Sequence, residues 1–411
     1  MSIDVRTRSD IDCTDVDAAE FFEDELPERF EAEAERLAVA AGHLDLRPFT
    51  IEMPDKTWSL VPDHDTFGVR SGRGDGHGAH VRMNELQLSD LVNDQSTPIS
   101  MMTANDLDMP HGNVTHFLDW WLVLRSALDA RTIFVPGDVE FSDPDGAALD
   151  LTRSFTLDDD DTDMRDFLRR AGYLHIAGMF DADEMRQVGA DMATAASEFT
   201  PGDKRSWWAK NDRGENLLVR MHGFDRHSPT TAALLDDTRF LRLAEIADAG
   251  HIAKAGTANR IEALRKPIGI VEGISDVPWH KDCSLGRHSY ECCRLTVGIS
   301  VDGADEDSGR LRVVAGSHRA LIWPSLLDVT KTGLPDVALP TQTGDVTVHL
   351  SCTLHMAQPP VTRERRVLYT DFELPVADPE AALAARRRLG AARESAPVTV
   401  DQPASSVAAP G

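Results

Sequence analysis

Val277-Pro278-Trp279-His280-Lys281-Asp282 lies about two thirds of the way along a chain of 411 residues, and the fold turns on what His280 and Asp282 do together. In extended backbone, residues two apart leave the same face, so both side chains can reach one metal ion. Spacing alone is a weak signal: a chain this rich in Asp and His holds about one His-x-Asp by chance. His43-Leu44-Asp45, in what reads as a helix end, is such a decoy. What distinguishes the later pair is its company. Strand-like segments follow at 293–301, 309–314 and 344–350, and the last leads to His355 and then to Arg366. Two His and one carboxylate on a β scaffold are the ligands with which non-haem iron sites hold one triangular face of the metal and leave the other for a bidentate cosubstrate and oxygen. His280, Asp282 and His355 would supply that face. A cosubstrate such as 2-oxoglutarate also carries a distal carboxylate that needs a planar guanidinium in a dry pocket. Arg366 stands 11 positions after His355, beyond a turn containing Pro359 and Pro360, and can return on a neighbouring antiparallel strand.

In these parts the chain resembles the phytanoyl-CoA dioxygenase-like branch of the Fe(II)/2-oxoglutarate oxygenases, over roughly residues 165–374. Phe167-Leu168-Arg169-Arg170-Ala171-Gly172-Tyr173-Leu174-His175-Ile176 is similar to the family's first strand, and Phe180-Asp181-Ala182-Asp183-Glu184-Met185 to the helix after it. Trp279-His280-Lys281-Asp282 comes next, then Ser308-Gly309-Arg310-Leu311 running to Gly316-Ser317-His318-Arg319. Gly344-Asp345, His355 and Arg366 close the series at the family's interval. The resemblance implies an α+β chain with a double-stranded β-helix (jelly-roll) core and flanking helices. It implies Fe(2+), 2-oxoglutarate and O2 as reactants, with metal ligands His280, Asp282 and His355, and Arg366 on the cosubstrate. Two positions depart from the pattern. Ala357 stands where relatives often carry a hydroxyl, and Gly298 where they often carry an aromatic. The intact Asp282 speaks against an iron halogenase, in which a small residue opens a seat for halide.

A formal net charge of −27 disfavours nucleic acid and anionic membranes as partners. Five cysteines (Cys13, Cys283, Cys292, Cys293 and Cys352) have neither zinc-like spacing nor the look of a disulfide framework. The acidic N-terminus lacks the basic and apolar regions of a signal peptide, and no window reaches the length of a membrane span, so the expected location is the cytoplasm. A small-molecule substrate is expected; the oligomeric state is left open.

The expected organisation is a tail at 1–15, a smaller mixed α/β domain at 16–150, the oxygenase domain at 158–378, and a C-terminal helix and tail at 379–411. Helical period runs from Val16 to Ala41, strands are expected at 49–53, 57–61 and 79–83, and helices at 84–92 and 117–128. This order faintly resembles a sterol-carrier-like lipid-binding module. The Gly-rich stretch 71–78 fails dinucleotide-binding spacing and reads as a loop. The acidic run 157–163 reads as a linker or helix N-terminus. Ser206–Gly214, with Trp207 and Trp208, reads as a loop over the pocket mouth, and His318 as the support of a turn.

The expected reaction is hydroxylation of an apolar or lipid-like molecule, with succinate and CO2 released. A thioester would be held by Lys204, Arg205, Lys210 and Arg213. Desaturation, cyclisation or hydroxylation of a natural-product intermediate at the same site is the alternative, and a non-catalytic lipid-binding carrier a further one.

Overall fold

The computed structural model describes residues 14–44, 46–63, 66–74, 78–254, 259–273, 275–285, 290, 294–375, 378 and 380. The expected C-terminal helix and nearly all of the N-terminal tail lie outside the described residues, as do Cys13, Cys292 and Cys293.

The N-terminal part opens with α1 (Ala18–Glu20), a π-helical turn at Phe21–Glu25, α2 (Leu26–Ala32) and α3 (Ala34–His43). Four strands follow: β1 (Phe49–Glu52), β2 (Thr57–Asp63), β3 (Thr66–Ser71) and β4 (Ala79–Arg82). Then come α4 (Glu85–Val92), α5 (Pro98–Thr103), β5 (Asp108–His111) and α6 (Val114–Asp129). The order in the sheet is β3-β2-β1-β4-β5. Asn84 starts α4 with a reciprocal capping box to Gln87, satisfying two otherwise orphaned backbone donors. The apolar stripe of α6 drives Phe117, Trp120 and Trp121 against the sheet: Phe117 stacks on Phe49 at 5.0 Å, and Trp120 meets Phe67 edge-on at 5.4 Å. Those rings fill the interior. An apolar cavity among the described residues there is about 10 Å³, at the lower limit for a single water.

The catalytic part begins where the acidic run caps α7 (Asp161–Ala171), with the Asp160 side chain accepting from the Thr162 N–H. β6 (Tyr173–Ile176) and α8 (Ala182–Ala195) follow. Ser206–Gly214 is not a free loop: β7 (Ser206–Asn211) pairs with β8 (Asn216–His222) as a hairpin. After α9 (Pro229–Leu235) and α10 (Thr238–Ala247) come β9 (Ile252–Ala253), β10 (Glu262–Lys266), β11 (Ile270–Glu272) and β12 (Trp279–His280). Next are β13 (Leu295–Ser300), β14 (Leu311–Val314), β15 (Ser325–Leu326) and β16 (Asp336–Leu339), then β17 (Val346–Leu350), β18 (His355–Ala357) and β19 (Arg365–Glu373).

These strands make two sheets. The larger runs β11-β7-β8-β10-β19-β13-β17-β6, with β9 on β19; the smaller runs β15-β12-β18-β14-β16. They form a double-stranded β-helix. Alternation divides each strand of the large sheet. Leu295, Val297, Ile299, Val346, Val348, Leu350, Leu368 and Phe372 share a core with Phe167 and Leu168 of α7 and Val188 and Met192 of α8. The intervening residues face inward. Near the ligand strand the two parts of the chain touch: Tyr290 and Leu321 belong to the N-terminal core cluster, Trp323 Nε1 donates to Asp119 at 2.7 Å, and Thr97 donates to the Ser284 carbonyl.

Candidate active site

His280 and His355 are directly opposed in the β12–β18 pair, so the small sheet itself sets their separation. Each ring is held at its far nitrogen. Nδ1 of His280 lies 2.7 Å from the Pro278 carbonyl, and Nδ1 of His355 lies 3.0 Å from the Thr353 carbonyl. A carbonyl only accepts, so both Nδ1 atoms carry the proton and both Nε2 lone pairs are free for a metal. Asp282 completes the group: its Oδ1 is 3.4 Å from His280 Nε2 and 3.6 Å from His355 Nε2, and one ligand atom from each residue lies within 4.8 Å of the others.

Protonation suits the same reading. Loss of water raises the Asp282 carboxyl, but the surrounding imidazoles of His355, His280 and His349 outweigh it and hold the group well below its ordinary range. Burial, reinforced by His349, holds the His355 imidazolium well below its usual value although Asp282 opposes this. An ionised carboxylate beside a neutral imidazole is what a divalent cation requires.

Lys281 points the other way. It is fully buried, and its Nζ donates to the carbonyls of Ser317 at 2.8 Å and Ala320 at 3.4 Å, tying the ligand segment to the turn after β14. Burial brings its ammonium down to about 8. His318, on the same turn, donates from Nε2 to the Arg169 carbonyl at 3.0 Å and so braces the end of α7, a supporting role away from the metal group.

Arg366 does not reach the interior. It pairs in register with Arg265 on the outer face of β19, where its guanidinium grips Asp302 through Nε at 2.7 Å and Nη2 at 2.6 Å. Its Nη1 donates to the Gly189 carbonyl on α8 at 3.0 Å. A Cβ at Gly189 would sit 2.7 Å from Nη1, so the helix needs glycine to let this ion pair pass. Strand alternation thus puts the Arg366 side chain on the helix side of β19 and not on the cavity side. Arg365, one residue earlier, takes the inner face opposite Lys266 and is 3% exposed. Its Nε and Nη2 are buried without a partner among the described residues. Lys266 lines the cavity and bonds to the Asp276 carboxylate at 2.8 Å and to the Ser275 carbonyl. Burial, offset by Asp276, lowers its ammonium to about 8. A buried guanidinium with two unused donors beside a lysine is a ready partner for a carboxylate.

The absent aromatic at Gly298 is replaced from across the sheet. Tyr369 faces Gly298 in register, and a Cβ on Gly298 would come within 3.0 Å of the Tyr369 ring and 2.9 Å of Thr347 Oγ1.

The cavity at this site is about 380 Å³. Its wall carries Arg220, Lys254, Arg260 and Arg294 with Glu262 and Asp371, besides Asn259, Ser275 and Thr296. Glu262 accepts from His222 at 2.9 Å and Asn259 at 2.8 Å and pairs with Arg220 at 3.2 Å. Although burial opposes ionisation, Arg220, His222 and Asn259 bring its carboxyl down to about 2. The two tryptophans divide their work: Trp207 lines the cavity with the Arg220 guanidinium 4.0 Å above its ring, and Trp208 packs on the core. Of the four basic residues expected to hold a thioester, Arg205 lies beside Asp203, Lys210 beside Glu272 and Arg213 beside Glu215.

Among the described residues no helix is long and apolar enough to cross a membrane. The double-stranded β-helix with two imidazoles and a carboxylate at one end of its cavity is the architecture of a non-haem iron oxygenase. Residues 168–367 match the model of the phytanoyl-CoA dioxygenase (PhyH) family, a match that supports an Fe(II)/2-oxoglutarate-dependent oxygenase enzyme with O2 as co-reactant. Solved structures similar to it include AviO1 from Streptomyces viridochromogenes Tue57, 23% identical over 54% of this chain and 97% of that one, with a TM-score of 0.43. The epimerase SnoN from nogalamycin biosynthesis, in complex with Fe3+, alpha-ketoglutarate and nogalamycin RO, is 19% identical over 53% and 87%, with a TM-score of 0.39. EctD from S. alaskensis, with 2-oxoglutarate and 5-hydroxyectoine, is 16% identical over 57% and 82%, with a TM-score of 0.42. No curated protein sequence matches the chain.

Proposed function

We propose that the chain oxidises an unactivated C–H bond of a small polar molecule, with Fe(II) on His280, Asp282 and His355 and the distal carboxylate of 2-oxoglutarate on Arg365, assisted by Lys266. The observation that carries this reading is the pair of opposed imidazoles whose Nδ1 protons are tied to carbonyls while both Nε2 atoms face Asp282 Oδ1. When bound, iron, 2-oxoglutarate and oxygen supply the oxidising equivalent, with succinate and CO2 as products. The chain's own residues do the rest. The carbonyl-bound imidazoles fix ligand direction, Arg365 sets the orientation of the cosubstrate, and the walls of the 380 Å³ cavity aim one substrate C–H at the open face. Hydroxylation, desaturation and ring closure share the hydrogen-removal step, and substrate geometry selects among them.

The polar substrate class follows from the wall of Arg220, Glu262, Asn259, Arg294 and Asp371, which an alkyl chain would strip of water without giving a hydrogen bond in return. We also propose that residues 16–150 act as a buttress for the ligand segment, through Thr97 and Asp119, and not as a lipid carrier.

Anaerobic addition of Fe(II) and 2-oxoglutarate is expected to give a weak visible charge-transfer band that Asp282→Ala and His355→Ala each abolish. Iron binding retained in both variants would place the metal elsewhere. Succinate release screened over amino acids, sugars and fatty acyl compounds should respond to polar candidates; a response confined to acyl chains would restore the lipid reading.

A further inference from the structure

A third imidazole stands beside the ligand group. His349 lies on the inner face of β17, 1% exposed, with its ring centroid 4.2 Å from that of His355. Its Nε2 is 3.3 Å from Asp282 Oδ2, and the Thr296 hydroxyl donates to the same oxygen at 2.8 Å. The two oxygens of Asp282 thus have different surroundings: Oδ1 faces the free Nε2 atoms of His280 and His355, while Oδ2 is held from behind by His349 and Thr296. Because an ionised carboxylate only accepts, Nε2 of His349 carries the proton, and its Nδ1 is left as a buried acceptor without a partner among the described residues. Filling the interior does not require that arrangement. A leucine would occupy comparable space without burying an unpaired nitrogen, so the Nε2–H bond to Asp282 is what the histidine contributes.

We infer that His349 is a positioning residue that keeps Asp282 a one-oxygen ligand. A free carboxylate can bind a metal through one oxygen or both. Chelation through both would use a coordination position that cosubstrate or oxygen needs. With Oδ2 bonded to His349 and Thr296, rotation toward the metal would break two hydrogen bonds, and the open face is preserved. This inference rests on iron being held by His280, Asp282 and His355.

The test compares His349→Gln, His349→Asn and His349→Leu by anaerobic Fe(II) titration, by the visible band of the Fe(II)–2-oxoglutarate complex, and by the melting temperature of the metal-free protein. Gln carries an amide N–H to about the reach of Nε2, whereas Asn falls short and Leu has no donor. Gln should keep Fe(II) affinity within a few-fold and retain the band; Asn and Leu should lose about 10–100-fold in affinity and move or weaken the band, while the metal-free melting temperature stays level or rises. Thr296→Val should give a smaller loss of the same kind. Equal affinity and an unchanged band in Gln, Asn and Leu would overturn the inference, as would a loss matched by an equal fall in metal-free stability. His280→Ala serves as control: if it keeps iron, the ligand set itself is wrong, whereas if it loses iron and His349→Leu does not, only the positioning role fails.

Discussion

Two sheets in this chain meet opposite fates. The N-terminal sheet and the large catalytic sheet each press an apolar face against helices, as Phe49 and Ile51 do in the first and Val297 and Leu368 in the second. In the N-terminal part, aromatic rings from α6 complete the packing and leave about 10 Å³. In the catalytic part the inner face is covered by a second sheet across a cavity of about 380 Å³, and Arg365, buried on that face of β19, has its Nε and Nη2 donors unused among the described residues. The comparison teaches that a sheet becomes a site through what its second face is denied. Apolar packing consumes one face for stability, and an inner face lined by incompletely partnered polar groups has binding capacity left for a ligand.

Changes in the two regions should therefore fail differently. The largest effect is expected from Trp120→Ala in the filled region, a loss of about 3–5 kcal/mol in stability read by denaturant unfolding; iron affinity at temperatures where the variant stays folded should change little. A selective loss of iron with stability intact would mean that the N-terminal packing reaches the site directly. Next comes Arg365→Met, which deletes the unpaired guanidinium. The 2-oxoglutarate requirement should rise by an amount on the order of 2–5 kcal/mol, with Fe(II) affinity nearly unchanged. Arg366→Met should instead lower stability through Asp302 and leave the cosubstrate requirement alone; the reverse pattern in these two variants would return the cosubstrate to Arg366.

Smaller again is Gly298→Ala, whose methyl collides with Tyr369 and Thr347. It should cost about 1–3 kcal/mol and disturb 2-oxoglutarate binding more than folding; a neutral result on both counts would show that the Tyr369 ring yields freely. The smallest concerns pH. Lys266 titrates near 8 in the fold and near 10.5 as an ordinary lysine, so the folded state binds fewer protons between those values. Its burial penalty is full below about 8 and is relieved as pH rises toward 10.5, so this group makes stability rise across that window. The positive charge offered to 2-oxoglutarate falls over the same window, and the cosubstrate requirement should increase modestly above pH 8 because Arg365 stays charged. In Lys266→Met both slopes should flatten; an unchanged cosubstrate slope would take Lys266 out of the anion site.

Much of this was open to reading in the sequence. The His280-Lys281-Asp282 spacing, the strand pattern up to His355 and the helical period of residues 16–41 are local signals, and each corresponds to an observed element. The face that each arginine takes could not be read from the sequence, for a physical reason. Arg365 and Arg366 are adjacent, and which of them faces inward depends on the register of β19 against β10 and β13, a relation between distant strands. His349 left no signal at metal spacing, since it lies on β17 of the large sheet and meets Asp282, which follows β12 of the small sheet, only in the folded chain. The Ser206–Gly214 segment was read from its polarity, but hairpin pairing with β8 and the cation over Trp207 made it a wall of the cavity.

The sequence by itself determined the class of chemistry, because a facial two-His, one-carboxylate set can be recognised from residue type and spacing along strands. Only the tertiary structure decided which arginine lies on the inner face of β19, which histidine bonds to the Asp282 carboxylate and which side chains wall the cavity. Those are properties of sheet register and of side chains converging from strands far apart in the chain, and a one-residue shift in register exchanges the inner and outer faces of a strand.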